Sequence, residues 1–390
     1  MQEPTVLTAL KDGFYDSQIY YETLRSFGGG QGVFFDGYLD GHVVVGYENC
    51  KEVARRIDEF GRRRLSLPSD LFSNSSQAKS GYEVMQAMSI FLPAGSSYAA
   101  RRQRLLEVVG HARQDPGLDR IRGAASKSLD LLPANEPAEV FLTSLRPFAA
   151  RCANLVVLQV AEVPAYVTED AVTATFFFDG KRPKREDLIA AMQATDRLAD
   201  WLATERGLSR SNDAELLADL VLLYVAAHES VAYLLYNCLC HLSTREDGLD
   251  ESLLPNLASL IAEAVRYDSP VQISGRVALD DARIGDYMVR KGEHVYLHVG
   301  AANRDDKAFT NADVFDENRQ PMHLGFGWGP TRCVGSEFAA ACATEYLAAV
   351  HARFSSVRHH KEKTRFDHGL SARGLKAASF SLGHRRSDIT

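Results

Sequence analysis

Apolar positions along this chain recur mostly with a helical period, and a strand period shows in only a few places. "DSQIYYETLRSF" reads as a short amphipathic helix. "GYLDGHVVVGY" reads as a hairpin with Asp40-Gly41 at the turn and a β-branched run after it. "ENCKEVARRIDEF" returns to helix. Residues 67 to 97, rich in Ser, Gly and Pro, read as irregular loop. "AARRQRLLEVVGHAR" is a basic helix, and residues 135 to 165 and 184 to 206 are helical in pattern. From Asn212 the signals sharpen, with Asn212 or Asp213 in place to cap a long helix ending near Leu242. "SLLPNLASLIAEAVRYDSP" is a second helix, ended in the region of Pro270. "VQISGRVALDDARIGDYMVRKGEHVYLHVG" alternates and carries turn glycines, the pattern of a small sheet. "FAAACATEYLAAVHARF" is a last long helix, and "LKAASFSL" a short strand near the end. The pattern predicts a mainly α chain with small β-sheets, in one domain over residues 1–390.

Composition narrows the class. Apolar residues make up 45% and charged residues 24%, which gives material for a large core. A net charge of −7 argues against a nucleic-acid surface spread over the molecule. Six cysteines without a CxxC pair or zinc-ligand spacing point to a reduced, cytoplasmic setting. The start "MQEPTVLTALKDGFYDSQ" has no basic stretch leading into an apolar one, so neither a signal peptide nor an anchor is expected. The greasiest segment, Leu216 to Leu242, carries His228 and Glu229 at its middle. A membrane span would bury that charge at its most costly depth, so a buried core helix is expected there.

The candidate chemistry centres on "HLGFGWGPTRCVGSEFAAACATEY", His323 to Tyr346. A lone cysteine near a helix start is usually a small buried hydrophobe. Here a glycine-rich turn precedes Cys333, and glycines let a planar ligand approach the backbone. A helix N-terminus follows, whose free N–H groups favour a thiolate. A thiolate can act as nucleophile or as metal ligand. No histidine base is dictated by the stretch, and the ligand role fits better.

"FGWGPTRCVG", Phe326 to Gly335, resembles the haem-binding loop of the cytochromes P450, FGxGxHxCxG, with Phe326, Gly327, Gly329, Cys333 and Gly335 in register. The resemblance implies the cytochrome P450 fold, with haem b (iron protoporphyrin IX) between the long central helix and this loop. It implies Cys333 as the axial ligand of the haem iron. "EAVR" resembles the family's ExxR, implying that Glu263, Arg266 and the later Arg319 form a buried structural network. Taken alone, "EAVR" would be an ordinary helical ion pair. "AAHES" resembles the oxygen-activation segment: Ala226 and Ala227 leave room over the iron, and Glu229 and Ser230 relay protons. Two departures stand out there, Ala227 for glycine and Ser230 for threonine.

Haem propionates need cationic or hydrogen-bonding partners. The early-helix pair HxxxR falls on Tyr98 and Arg102, so tyrosine stands where the family has histidine. Arg276 matches a further propionate arginine, and Thr331 occupies the loop position that is often His or Arg. Arg101 and Arg104 lie on a helix where the resemblance implies docking of an acidic ferredoxin or flavodoxin. The resemblance is strongest from Asn212 to Glu345 and weakest between about 145 and 210, where a short pocket lid is implied. The function implied is a monooxygenase that oxidises a mainly apolar molecule with O2. Electrons would come from a ferredoxin or flavodoxin with its reductase. The substrate implied is a natural-product intermediate, of the kind made in secondary metabolism and antibiotic biosynthesis, sometimes held on a carrier protein. Two rivals remain: an atypical P450 that couples, cyclises, rearranges, nitrates or uses peroxide, and a haem-binding or recruiting protein without turnover.

Overall fold

In the computed structural model the long apolar segment is the axis on which the other helices pack. The structure describes residues 5–383 apart from 14–15, 63–66, 73, 94–95, 161, 176–177, 179–183, 367–368 and 373. The N-terminal part runs α1 (Val6–Gly13), α2 (Ser17–Gly28), β1 (Val33–Asp36), β2 (Gly41–Val44), α3 (Tyr47–Arg55) and β3 (Phe60–Gly61). Then follow α4 (Ser76–Ala87), α5 (Ser96–Ala112), α6 (Gly117–Leu129), β4 (Pro137–Glu139), α7 (Arg146–Leu158), α8 (Ala165–Thr175) and α9 (Arg185–Arg206). The C-terminal half holds α10 (Ala214–Leu242), α11 (Leu253–Tyr267), β5 (Ile273–Ala278), β6 (Ala282–Ile284), β7 (Tyr287–Val289) and β8 (His294–His298). It ends with α12 (Val299–Ala302), α13 (Ser336–Arg353), β9 (Val357–Phe366) and β10 (Leu375–Leu382).

The expected hairpin turn forms, whereas the side-chain cap expected for the long helix does not. Asp16 accepts the backbone N–H groups of Gln18 and Ile19 and so starts α2. Asp40 takes a φ of 51° at the hairpin turn, a conformation that Asp tolerates better than most residues. Asp213 stands at the N-cap of α10, but its carboxylate takes the Ser209 N–H rather than a helix amide.

α10 is 29 residues long and packs against α4, α7, α8, α9, α11 and α13. By length and composition alone it could cross a membrane, yet 61% of its most apolar window is buried inside the fold. Its apolar surface is therefore spent on neighbouring helices, as a core helix requires.

Among the described residues, three small sheets flank the helices. The largest has the order β1-β2-β8-β5-β3, with β2 and β8 parallel and the other pairs antiparallel. A second joins β4-β10-β9, and β6 and β7 form a hairpin.

Three expectations give way. Residues 67–97 are not all irregular: α4 lies within them, started by Ser75, which accepts the Ala78 N–H. Gly81 is why this segment can be helical and still pack. A Cβ there would come within 1.8 Å of the Met192 carbonyl oxygen, so glycine lets α4 press directly on α9. The helix expected through Phe60 stops at Arg55, because Phe60 and Gly61 pair with Ala278 and Val277. Residues 135–165 are interrupted likewise, since β4 pairs with β10 before α7 begins. The connection between α9 and α10 covers only residues 207–213, while part of the α8–α9 connection lies outside the described residues.

Candidate functional site: a cysteine loop ringed by arginines

The loop before α13 is built by its glycines. Gly327 and Gly329 have φ values of 70° and 65°, which an L side chain rarely adopts. A Cβ on Gly329 would also stand 3.2 Å from the Ala54 carbonyl of α3. Gly327 N–H donates to the Leu324 carbonyl at 2.7 Å and Cys333 N–H to the Phe326 carbonyl at 2.8 Å, which closes the turn. The glycines are thus required first by the turn itself, and room for a ligand is a consequence of it. Trp328 is fixed on the far side beneath Lys51 and Arg55, at 5.2 and 5.6 Å from its ring centroid. A cavity of about 500 Å³ borders the loop between Pro321, Met322, His323, Trp328, Gly329 and Arg332, and Cys333 does not line it.

Cys333 is free and its side chain opens onto space, although it lies deep in the fold. Burial raises the thiol above its ordinary value. Four groups oppose this: the Gly335 backbone amide first, then the charges of Arg102 and Arg332, and the Ser336 backbone amide. The helix-start amides expected to favour a thiolate are therefore in place, but by themselves they do not outweigh desolvation.

On α10 the motif residues are split between two environments. Ala226 is exposed and Ala227 half-buried, while Val225 and His228 beside them are buried. Open space therefore lies against the small residues in the middle of a core helix. Ser230 donates its hydroxyl to the Ala226 carbonyl at 2.7 Å. Glu229 is held by Arg146 of α7, whose Nε and Nη2 lie 2.7 and 2.5 Å from Oε1. His228 turns inward, fully buried with neither ring nitrogen partnered among the described residues. Burial first, then the nearby Arg146 charge, lowers its pKa to about 4, so it is neutral.

Glu263, Arg266 and Arg319 come together in one cluster. Arg266 makes two bonds of 2.7 Å to Glu263, and both side chains are fully buried. Arg319 Nε reaches the same carboxylate at 3.2 Å. Arg266 also donates to the carbonyls of Asn303, Ala312 and Val314, tying α11 to the stretch that leads into the cysteine loop. A buried pair of this kind holds only when its remaining donors and acceptors are satisfied, and here they are.

The arginines near the loop sort differently from expectation. Arg276 is buried; its Nη2 donates to Thr331 Oγ1 at 3.0 Å, and its Nε has no partner among the described residues. Its pKa falls to about 10, because of burial and then the charge of Arg62. Tyr98 is buried and accepts from Arg62 Nη2 at 2.9 Å. Arg102 carries a charge that reaches Cys333.

Arg101 is not a surface docking residue. It is 2% exposed and its Nε bonds Asp219 of α10 at 2.7 Å, with Nη2 on the Ala87 and Glu215 carbonyls. The register of α5 turns this arginine into the core, so a partner protein has no access to it. Arg104 remains half-exposed, 3.5 Å from Glu215. Sequence reasoning missed Arg62, Arg146 and Asp219. Each acts through contacts to segments far along the chain, and no local motif marks them.

Residues 246–377 match the family model described as Cytochrome P450. Over 162 residues the chain is 40% identical to the biotin biosynthesis cytochrome P450 of Bacillus subtilis (strain 168), an alignment covering 41% of this chain and 38% of that protein. Over 163 residues it is 37% identical to cytochrome P450 107B1 of Saccharopolyspora erythraea, covering 40% and 39%. These alignments thus span about two-fifths of the curated relatives' length. Among solved structures, P450BioI in complex with hexadec-9Z-enoic acid ligated acyl carrier protein superposes with a TM-score of 0.77 at 23% identity. That likeness covers 95% of this chain and 99% of the other, and it establishes the fold.

Proposed function

We propose that this chain, which is similar to the cytochromes P450 in the fold of its described residues and in the sequence of residues 246–377, is a haem-thiolate monooxygenase acting on a mainly apolar small molecule. The observation that carries this reading is Cys333. It is a free, exposed thiol ending a closed glycine turn, and the Gly335 and Ser336 amides and the charges of Arg102 and Arg332 all act to favour its anion. Those features fit an anionic, planar, metal-centred group better than they fit a buried structural cysteine.

Haem b, when bound, supplies the activation of O2. Cys333 would hold the iron, and the Gly335 and Ser336 amides would offset charge on the sulfur. Arg102, Arg276, Thr331 and Tyr98 are the propionate partners. Ala226 and Ala227 leave space against α10 for oxygen and substrate. Glu229 and Ser230 form the proton path. Glu229 must loosen from Arg146 to take up a proton at Oε1, and Ser230 must rotate from the Ala226 carbonyl to donate onward.

Electrons come from a ferredoxin or flavodoxin with its reductase, steered by charges that include Arg104. The substrate is a natural-product or fatty-acyl intermediate, with a carrier protein as one means of delivery. The likeness to a biotin-biosynthesis P450 and to a P450 bound to an acylated carrier protein supports that reading. Six free cysteines support a reduced, cytoplasmic setting.

A second reading rests on the engagement of both relay groups, Glu229 by Arg146 and Ser230 by its own helix. A member that couples, rearranges or uses peroxide would need no such relay. Label from 18O2 in the product, with two electrons consumed per turnover, supports the monooxygenase and excludes the second reading. The primary test is the spectrum of the reduced, CO-bound protein. The Soret band should lie at the thiolate-ligated position and should be lost in Cys333→Ala. An unchanged spectrum in that variant overturns the function proposed here.

A further inference from the structure

β3 and β5 pair antiparallel with Phe60 opposite Ala278 and Gly61 opposite Val277. Continuing that register sets Arg62, the residue after β3, across from Arg276. Like charges across a strand pair repel, and here the repulsion acts where Arg276 is 7% exposed. The Arg62 charge is in fact the second cause of the lowered Arg276 pKa, after burial. Neither arginine forms an ion pair with a carboxylate among the described residues; Arg62 donates to the Ser89 carbonyl and Tyr98 hydroxyl, and Arg276 to Ser274, Gly275 and Thr331. The Arg276 Nε is a buried donor with no partner among the described residues. Setting a half-buried guanidinium beside a buried one, with a buried donor left over, is costly unless an anion receives them.

The hydroxyls they hold are Tyr98 on α5 and Thr331 in the cysteine loop, the two positions where the family resemblance implied stronger propionate donors. Each replaced position is thus joined to an arginine: Tyr98 to Arg62 at 2.9 Å, and Thr331 to Arg276 at 3.0 Å. Arg62 also lies over the Tyr98 ring, 4.2 Å from its centroid, so the hydroxyl and the guanidinium are held as one unit.

We propose that Arg62 is a haem-propionate anchor of this protein, acting with the Tyr98 hydroxyl in place of the absent histidine, and that Arg62 and Arg276 together receive the cofactor's two carboxylates. The assignment rests on the haem reading above and adds to it a residue from outside its motifs. Neutralising the pair relieves the cross-strand repulsion, so cofactor binding and the β3–β5 pairing are coupled.

The test is the rate at which the purified holoprotein loses haem to apomyoglobin, for wild type, Arg62→Gln and Arg62→Lys. Each is measured with haem and with haem dimethyl ester, which lacks the carboxylate charges. A lost charge-assisted contact predicts release of haem about 10- to 100-fold faster from Arg62→Gln, with Arg62→Lys between the two. With the dimethyl ester, wild type and Arg62→Gln should release at the same rate. Equal acceleration for both cofactors would assign Arg62 a structural role through Tyr98 and Ser89 and overturn the proposal, as would an unchanged rate for haem. A wild-type protein that takes up no haem overturns the P450 reading as well, whereas haem uptake with Arg62→Gln unaffected overturns this proposal alone.

Discussion

Arg101→Met separates two accounts of one residue. As a docking charge on an exposed helix face, Arg101 would contribute about 0–1 kcal/mol to stability and mainly speed association. The structure instead buries it against Asp219, with both side chains 3% exposed and Nε 2.7 Å from Oδ2. Removing one partner of such a pair costs about 3–5 kcal/mol, because the other charge stays buried and unpaired. Asp219 would keep only the Ser89 N–H, at 2.8 Å, and the Ala87 and Glu215 carbonyls would lose their donor. Adding Asp219→Leu removes the orphaned charge and leaves one unsatisfied N–H, a cost of about 1–3 kcal/mol. The double variant should therefore be more stable than Arg101→Met alone. Urea unfolding of the holoprotein measures both, and the KM for the electron donor is read in parallel. A loss below about 1 kcal/mol in Arg101→Met, together with a raised KM for the donor, would refute the structural account and restore the docking role.

Gly81→Ala should lower Tm, with a cost of about 1–3 kcal/mol, because the new Cβ would meet the Met192 carbonyl at 1.8 Å and push α4 off α9; a Tm at or above wild type counts against that close packing. Stability should also fall as the pH drops from 6.5 toward about 4. Burial lowers the pKa of His228 and His323 to about 4, and of His241 and His298 to about 3, from an ordinary 6.5. Below 6.5 the unfolded chain therefore binds protons that the folded chain refuses. Each such histidine adds a slope of up to about 1.4 kcal/mol per pH unit. His241 stacks on Phe315 with ring centroids 3.6 Å apart, so His241→Phe should flatten the dependence between pH 5 and 6.5 by about one proton; an unchanged slope refutes it.

Several features were legible because their causes are local. The hairpin turn at Asp40-Gly41 needs only a residue tolerant of positive φ. The Glu263–Arg266 pair follows from i,i+3 spacing on one helix, and the cysteine loop from glycines set at fixed offsets. α10 announced itself by length and by apolar residues all around it. By contrast α4 was hidden, because its serines and Gly81 resemble a loop until the contact with α9 gives the glycine a purpose.

What the amino-acid order determined alone was thus the long helices from α9 onward, the hairpin turn, the cysteine turn and the residue types available to the site. Tertiary structure decided which of those residues meet. Arg101, Arg102 and Arg104 stand within one helical turn, and only the packing of α5 on α10 sends Arg101 to Asp219 and leaves Arg102 to act on Cys333. Arg146 meets Glu229 across 83 positions, and Arg62 meets Arg276 only because β3 pairs with β5. A charge's partner depends on burial and on distance in space, neither of which is encoded in the spacing of neighbouring residues. The same arginine is therefore a solvated surface charge, a core strut or a cofactor anchor according to the element that packs against it.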